Sequence, residues 1–303
     1  MCARPKEFTR IDSDFFSCGT RCAGWLYLPN GLKYPPVVVM GHGLAAERTF
    51  RLPAYAERFA ERGMAVFVFD YRYFGGSDGE PRNLISPSRQ LQDWRAAIDH
   101  VRSIPGINQS RMALWGTSFS GGHVMVTAAQ DTDITVVVAQ VPFFDSLSLL
   151  KMVGLRNIAR TSIAAVGDVF RMVTSHGAHY IPVAGEPGSF ALITAPDFES
   201  GYYEIVPEGY SWRNECPARI FFTVPFYRPI LKAKRVKCPT LILMAEKDTI
   251  IRPKSLVKAA AKLKNVKLMR MPVGHFDVYT GDGFDRAVEI ETYFLKKHLI
   301  IAE

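Results

Sequence analysis

A serine flanked by small residues is the first feature of this sequence that could do chemistry. It is Ser118, within Trp115-Gly-Thr-Ser-Phe-Ser-Gly-Gly122, and it follows an apolar run and precedes a predicted helix. A sharp turn from strand to helix exposes a serine hydroxyl as a nucleophile, provided that the residues two before and two after it are small. Those residues are Gly116 and Ser120. Ser120 is the rival nucleophile, but a strand over Arg111–Trp115 places the turn at Ser118.

A serine hydroxyl needs a histidine to take its proton and a carboxylate to orient that histidine. Two side chains meet this need in chain order: Asp248 follows the predicted strand 240–244, and His275 follows the predicted strand 266–271. Both lie at the carboxyl ends of strands, where the active sites of open α/β sheets gather. Ser118, Asp248 and His275 therefore predict a catalytic triad.

Two other acids lie near these positions, Glu246 and Asp277. Glu246 is closer to the end of its predicted strand and is expected to belong to it. Asp277 is only two residues from His275, which is too near to orient the imidazole easily. We therefore favour Asp248.

Acyl chemistry also needs two backbone N–H groups that hold the developing oxyanion. One should come from Phe119, the residue after the nucleophile. The other should come from the loop Gly41-His-Gly-Leu44, where Gly43 lets the chain bend so that the Leu44 N–H points inward. We expect His42 to brace this loop with a hydrogen bond rather than to transfer protons.

The elements that must position these residues alternate between strand and helix. Predicted strands cover 8–16, 20–28, 37–40, 65–69, 112–115, 135–139, 240–244 and 266–271, and predicted helices cover 52–62, 87–103, 121–130, 253–263 and 284–298. Several strands are short continuous apolar runs, as is typical of strands buried on both faces. The pattern predicts an α/β fold with a mostly parallel, doubly wound sheet.

The alternation stops between Phe144 and Cys238. We expect residues 1–143 and 239–303 to form the α/β core, and residues 144–238 to form an inserted, largely helical cap or lid. Its apolar helical segment, 147–173, either packs on the core or lines a lipophilic pocket. Four aromatic residues are candidates for the wall of such a pocket: Tyr202, Tyr203, Trp212 and Phe221.

Composition narrows the class of protein. The 303 residues are 48% hydrophobic and 22% charged, which argues against a disordered or fibrous chain. No apolar run reaches the ~18 residues of a membrane-spanning helix. The net charge of +8 comes from scattered basic residues and one cluster, Arg228–Lys237. No nucleic-acid-binding module accompanies the cluster, so we predict no nucleic-acid partner. Peripheral membrane contact through Arg228–Lys237 stays an open alternative. A homodimer is also compatible with the sequence.

The five cysteines form no Cys-x-x-Cys pair and are expected to be reduced thiols rather than disulfides or metal ligands. The first residues show no apolar core of a secretory signal. We therefore expect a cytoplasmic protein. No phosphate-binding loop or Gly-x-Gly-x-x-Gly fingerprint is present, so no cofactor is predicted.

The chain resembles the serine hydrolases of the α/β-hydrolase superfamily. In chain order, the resemblance is carried by Gly41–Leu44, Phe69–Gly79, Gly116–Gly122, Lys247-Asp248 and Gly274-His275. Within the superfamily it is similar to bacterial esterases and peptidases related to X-prolyl peptidases and dienelactone hydrolases. The dienelactone type carries a cysteine nucleophile, so a serine there implies an ester or amide substrate. Ser120 departs from the family pattern, which has glycine at that position.

The resemblance implies an α/β-hydrolase fold and a cap that shapes specificity. We expect a carboxylesterase-like enzyme that cleaves a small-molecule, lipophilic ester through an acyl-enzyme on Ser118. A peptidase, a thioesterase or an acyltransferase would use the same triad, and these alternatives stay open. A non-catalytic binding protein on a hydrolase scaffold is disfavoured because it would have no need for all three residues in order.

Overall fold

The computed structural model describes residues 7–147 and 155–300. Its strands are β1 (Phe8–Asp12), β2 (Phe15–Ser17), β3 (Thr20–Cys22), β4 (Gly24–Pro29), β5 (Pro36–Gly41), β6 (Ala65–Phe69), β7 (Asn108–Thr117), β8 (Val136–Gln140), β9 (Tyr180–Ile181), β10 (Cys216–Pro217), β11 (Thr240–Ala245) and β12 (Val266–Met271). Its helices are α1 (Leu52–Glu61), α2 (Pro87–Ser103), α3 (Phe119–Ala128), α4 (Leu155–Val173), α5 (Phe198–Ile205), α6 (Pro253–Ala260) and α7 (Gly281–Leu299).

Eight strands form one sheet, in the order β1-β4-β6-β5-β7-β8-β11-β12. Neighbours from β6 to β12 are parallel, and β4 runs antiparallel between β1 and β6. Strands β6, β8 and β11 are buried along their whole length. Continuous apolar runs suit this position because helices cover both faces of the sheet. The predicted mostly parallel, doubly wound α/β fold is confirmed.

The sheet places the three predicted catalytic segments side by side. Strands β7, β8, β11 and β12 are consecutive neighbours, so the chain that follows β7, β11 and β12 emerges at one edge. Between the neighbouring strands β8 and β11, the chain leaves the sheet and forms α4, α5, the small β9–β10 ladder and several short 3₁₀ turns. We refer to residues 144–238 as the insertion; its boundaries and its role as a cap stay a prediction.

The first two predicted strands, 8–16 and 20–28, are each interrupted, which corrects the prediction. The Asp14 carboxylate accepts a hydrogen bond from the backbone N–H of Gly24 and pairs with Arg21 at 2.7 Å. These contacts end the β1–β4 ladder, and the chain then forms the separate β2–β3 hairpin.

Helix α4 exposes an apolar stripe. Ile163, Val166, Phe170 and Val173 are 61–74% exposed and recur at helical spacing on one face. The expectation that the apolar residues of segment 147–173 pack on the core or line a pocket is wrong for this face. The buried face carries small residues and Asp168, whose carboxylate pairs with Arg219 at 2.7 Å. Residues 148–154 of the predicted segment lie outside the described residues.

None of the helices in the described parts of the chain is both long enough and apolar enough to cross a bilayer.

Candidate active site

Ser118 lies at the turn between β7 and α3 with its backbone in the left-handed region, at a φ of 53°. This conformation costs free energy for a residue other than glycine and is the hallmark of a strained nucleophile turn. A Cβ at Gly116 would lie 2.3 Å from the carbonyl oxygen of Ser120, so only glycine fits two residues before the turn. The glycine that the sequence pattern singled out at position 116 is therefore required by contact.

Helix α3 is buried on all sides, and two glycines let it sit close to the chain after β8. A Cβ at Gly121 would lie 2.5 Å from Cβ of Pro142, and a Cβ at Gly122 would lie 2.4 Å from the carbonyl oxygen of Phe143. This close packing fixes the direction of the helix N-terminus, which begins directly after Ser118.

The three predicted residues meet. His275 Nε2 lies 3.1 Å from Ser118 Oγ, and His275 Nδ1 lies 2.7 Å from an Asp248 carboxylate oxygen. The side chains of His275 and Asp248 are 3% and 1% exposed. Because the carboxylate accepts from Nδ1–H, the lone pair of Nε2 faces the serine hydroxyl.

The Asp248 carboxylate is itself held in place. Its other oxygen accepts hydrogen bonds from the backbone N–H groups of Ile250 and Ile251, at 2.8 and 2.7 Å. These bonds fix the rotation of the carboxylate, so it can orient the His275 ring.

The rival residues are occupied elsewhere. Ser120 Oγ is buried and lies 2.7 Å from the hydroxyl of Tyr71. Glu246 is exposed and lies 4.0 Å from Arg270. The Asp277 carboxylate accepts the N–H of Gly274 at 2.8 Å, so it braces the loop that carries His275 rather than the ring itself.

The loop after β5 crosses over Ser118. A Cβ at Gly43 would lie 3.2 Å from Cβ of Ser118. Leu44 and Phe119 line the same cavity as Ser118. As the first residue of α3, Phe119 has a backbone N–H with no partner inside the helix, at the positive end of the helix dipole. The two residues predicted to carry the oxyanion donors therefore lie beside Ser118, and the role of their N–H groups stays a prediction.

His42 braces this loop through its backbone. Its Nδ1–H donates a 3.0 Å hydrogen bond to the carbonyl of Gly43, and complete burial lowers the pKa of the ring, which keeps it neutral. The Gly43 carbonyl and the Leu44 N–H belong to one planar peptide and point in opposite directions. Holding the carbonyl therefore aims the N–H.

Asp70, which directly follows β6, also holds the loop after β5 in place. Its carboxylate accepts the backbone N–H of Arg48 at 2.6 Å, and its second oxygen pairs with the Arg48 guanidinium at 2.5 Å. The sequence pattern included Asp70 in a family motif but gave it no role. The sequence signal that could have identified Asp70 was its position at the carboxyl end of a buried strand.

Ser118 opens into a narrow apolar cavity of about 30 Å³, enough for one or two water molecules. Among the described residues its lining is Leu44, Ser118, Phe119, Phe143, Leu192, Ile193, Phe198, Ile220, Val224, Ile250 and Ile251. Tyr202, Tyr203, Trp212 and Phe221 are not among them, which corrects the predicted pocket wall. Other residues of the insertion line the cavity instead, and no sequence pattern distinguishes them. A single sequence does not fix which way a side chain points in an irregular segment.

The basic cluster is only partly free. Arg228 pairs with Asp145 at 2.8 Å, whereas Lys234, Arg235 and Lys237 are exposed. Membrane contact through Arg228–Lys237 stays a prediction.

Sequence and structure comparisons relate the chain to known proteins. The family described as serine aminopeptidase, S33, matches residues 34–171. The quorum-quenching protein AidA of Acinetobacter baumannii is 37% identical over 287 residues, which covers 95% of this chain and 94% of that protein. A polyketide transferase of Aspergillus fumigatus is 25% identical over 300 residues, covering 96% and 99%. The crystal structure of the α/β hydrolase GrgF from Penicillium has a TM-score of 0.82 at 23% identity, covering 97% of this chain and all of that one.

Proposed function

The chain belongs to the serine α/β-hydrolase superfamily, and we propose that it cleaves carboxylic esters with an apolar acyl group. One observation carries the proposal: the Ser118 hydroxyl, within 3.1 Å of His275 Nε2, opens into a cavity whose other described lining residues are all apolar. We further propose that Ser118, Asp248 and His275 act as the catalytic triad.

In the acylation step, Ser118 Oγ attacks the ester carbonyl while His275 Nε2 takes the serine proton. The carbonyl oxygen becomes an oxyanion and accepts hydrogen bonds from the N–H groups of Leu44 and Phe119. Asp248 stabilises the imidazolium and does not itself take the proton. Collapse of the tetrahedral intermediate transfers the proton from His275 to the leaving alkoxide, which departs as the alcohol and leaves the acyl group on Ser118.

In the deacylation step, the same groups act on water. His275 Nε2 takes a proton from a water molecule, whose oxygen attacks the acyl carbonyl, and the oxyanion again binds the two N–H groups. Returning the proton to Ser118 Oγ releases the carboxylic acid.

The cavity favours an apolar acyl group over a peptide with a free amine. An aminopeptidase site needs an acid to receive the substrate ammonium, and no acidic residue is among the described cavity-lining residues. A cavity of about 30 Å³ admits an acyl chain only when side chains such as Phe198 and Val224 move apart.

Acyl transfer is the second candidate. It is supported by the cavity, whose described lining offers no polar side chain other than Ser118 to bind water, and by the Aspergillus relative named as a polyketide transferase. The two activities separate by product: with an ester substrate and added short-chain alcohol, a hydrolase forms mostly the acid, whereas a transferase forms mostly the new ester.

The test of the triad uses two serine variants. We expect a fluorophosphonate to label the wild type and Ser120→Ala but not Ser118→Ala, because Ser120 Oγ is committed to Tyr71 in the core. Turnover of p-nitrophenyl esters should follow the same order and should favour medium-length acyl chains over acetate. Label on Ser120, or ester turnover retained by Ser118→Ala, would contradict the proposal.

A further inference from the structure

Three side chains from residues 202–212 of the insertion hold the loop that carries the proposed oxyanion donor Leu44. The Tyr202 hydroxyl donates to the carbonyl of Leu44. The indole N–H of Trp212 donates to the carbonyl of Ala45 at 3.1 Å, and the Tyr210 hydroxyl donates to the Glu47 carboxylate. Every residue from 44 to 47 except Ala46 therefore accepts a hydrogen bond from this one part of the insertion.

The contact from Tyr202 bears directly on the Leu44 N–H. His42 holds the peptide plane before the Leu44 Cα, through the Gly43 carbonyl, and Tyr202 holds the peptide plane after it. The two torsions of Leu44 are the only soft coordinates between those planes. The next residue, Ala45, has a φ of 50°, a conformation that is costly without external contacts. Fixing both planes therefore fixes where the Leu44 N–H points.

Tyr202 is itself rigidly placed. It is 4% exposed, and its ring stacks on that of Trp212 with centroids 4.4 Å apart and planes 5° from parallel. The ring also packs on Phe276, whose own ring lies 5.2 Å from that of His275. On the same helix, Phe198 packs on the Tyr202 ring and lines the cavity.

We propose that Tyr202 is a positioning residue that sets the oxyanion donor from the insertion, with Trp212 as its partner. The proposal rests on the proposed function, because it assigns the Leu44 N–H to the oxyanion. It makes productive docking of α5 on the loop a condition for fast acylation. An insertion displaced from the core would leave the triad intact but the oxyanion site loose.

The test removes one oxygen atom. Tyr202→Phe keeps the ring and its stacking and loses only the hydroxyl. Tyr203→Phe is the matched control, since Tyr203 is the next residue on α5 and is 60% exposed. We expect Tyr202→Phe to lower kcat on esters by about 10- to 100-fold with KM changed by less than about threefold, because a loosened donor weakens binding of the transition state rather than of the ester. Trp212→Phe should show a smaller loss of the same kind.

Binding of inhibitors provides a readout that general destabilisation would not give. A boronic acid, which forms a tetrahedral adduct on the serine, should lose affinity for Tyr202→Phe by the same factor as kcat, while the carboxylic acid product should bind unchanged. Equal loss of affinity for both, or a kcat within about twofold of the Tyr203→Phe value, would overturn the proposal.

Hydrogen exchange tests the positioning role of Tyr202 even if the chain has no esterase activity. Amides 43–47 should exchange several-fold faster in Tyr202→Phe than in the wild type or in Tyr203→Phe, because the loop loses a contact that restrains its opening. Unchanged exchange over these residues would refute the positioning role. Absence of Ser118 labelling in the wild type would instead refute the proposed function.

Discussion

A buried glutamate that contacts strand β7, which leads to Ser118, gives a prediction about stability. The magnitude of the effect follows from the structure. Glu291, on α7, is fully buried, and its carboxyl accepts a 2.8 Å hydrogen bond from the indole N–H of Trp115. Burial raises its pKa from an ordinary 4.5 to about 8, against the smaller lowering effect of the Trp115 hydrogen bond. The perturbation we choose is Glu291→Gln, which keeps the oxygen that faces Trp115 and cannot ionise.

The sign of the effect follows from proton binding. Between about pH 4.5 and 8, the folded protein keeps the Glu291 proton and the unfolded chain has lost it, so the wild-type free energy of unfolding falls as pH rises. Each pH unit in this window is worth about 1.4 kcal/mol for one group. From about pH 5.5 to 7.5 the wild type should therefore lose about 2–3 kcal/mol that the glutamine variant does not lose.

Urea unfolding of both proteins at three pH values in this window measures the difference. The free energy of unfolding of Glu291→Gln minus that of the wild type should increase steadily with pH. Glu289→Gln is the control, since Glu289 is exposed on the same helix and undergoes the same substitution. Its difference from the wild type should stay nearly constant. A constant difference for Glu291→Gln would mean that the buried carboxyl is ionised at neutral pH and that our reasoning from burial is wrong.

Two further predictions concern activity. Asp248→Asn should lower kcat by about 10³- to 10⁴-fold, because the amide holds the His275 ring in the wrong tautomer; a loss below about tenfold on a panel of esters would remove Asp248 from the mechanism. Val224→Trp should lower kcat/KM for octanoyl esters by more than about tenfold and for acetyl esters by less than about threefold, because the new ring fills the cavity beside Ser118. Phe226→Trp, on an 82% exposed side chain, is its control, and an equal loss for both ester lengths would mean that Val224 does not border the acyl group.

The sharp turn at Ser118 was predictable because the pattern that encodes it is local. The glycine at 116 is demanded by the carbonyl oxygen of Ser120, only four residues away. The buried strands were predictable for a related reason: a strand covered on both faces is apolar at every position, as in Ala65–Phe69. Asp248 and His275 followed from the same logic, since each comes soon after such a strand.

The cavity wall and the contacts that hold the loop carrying Leu44 were not predictable in this way. Tyr202 and Leu44 are 158 residues apart, and their contact depends on how the insertion folds back on the core. The sequence made Tyr202 and Trp212 candidates for the pocket wall because both are aromatic. Their hydroxyl and N–H groups instead find backbone carbonyls, as buried tyrosine and tryptophan side chains usually require.

The solvent-exposed stripe on α4 shows the same limit. The apolar periodicity of Ile163, Val166 and Phe170 predicts a helix with one buried face, but the buried face is the opposite one. The ion pair of Asp168 with Arg219 turns that side inward, and a pair 51 residues apart leaves no trace in the local pattern.

Direct observation of the acyl-enzyme tests the central proposal most strictly. The wild type would be mixed with an excess of p-nitrophenyl octanoate, quenched in acid during turnover, and examined by intact-protein and peptide mass spectrometry. We predict one octanoyl group per chain, located on Ser118, with a rate of decay no slower than kcat. Turnover without an octanoyl adduct, or an adduct on any other residue, would contradict the proposed mechanism.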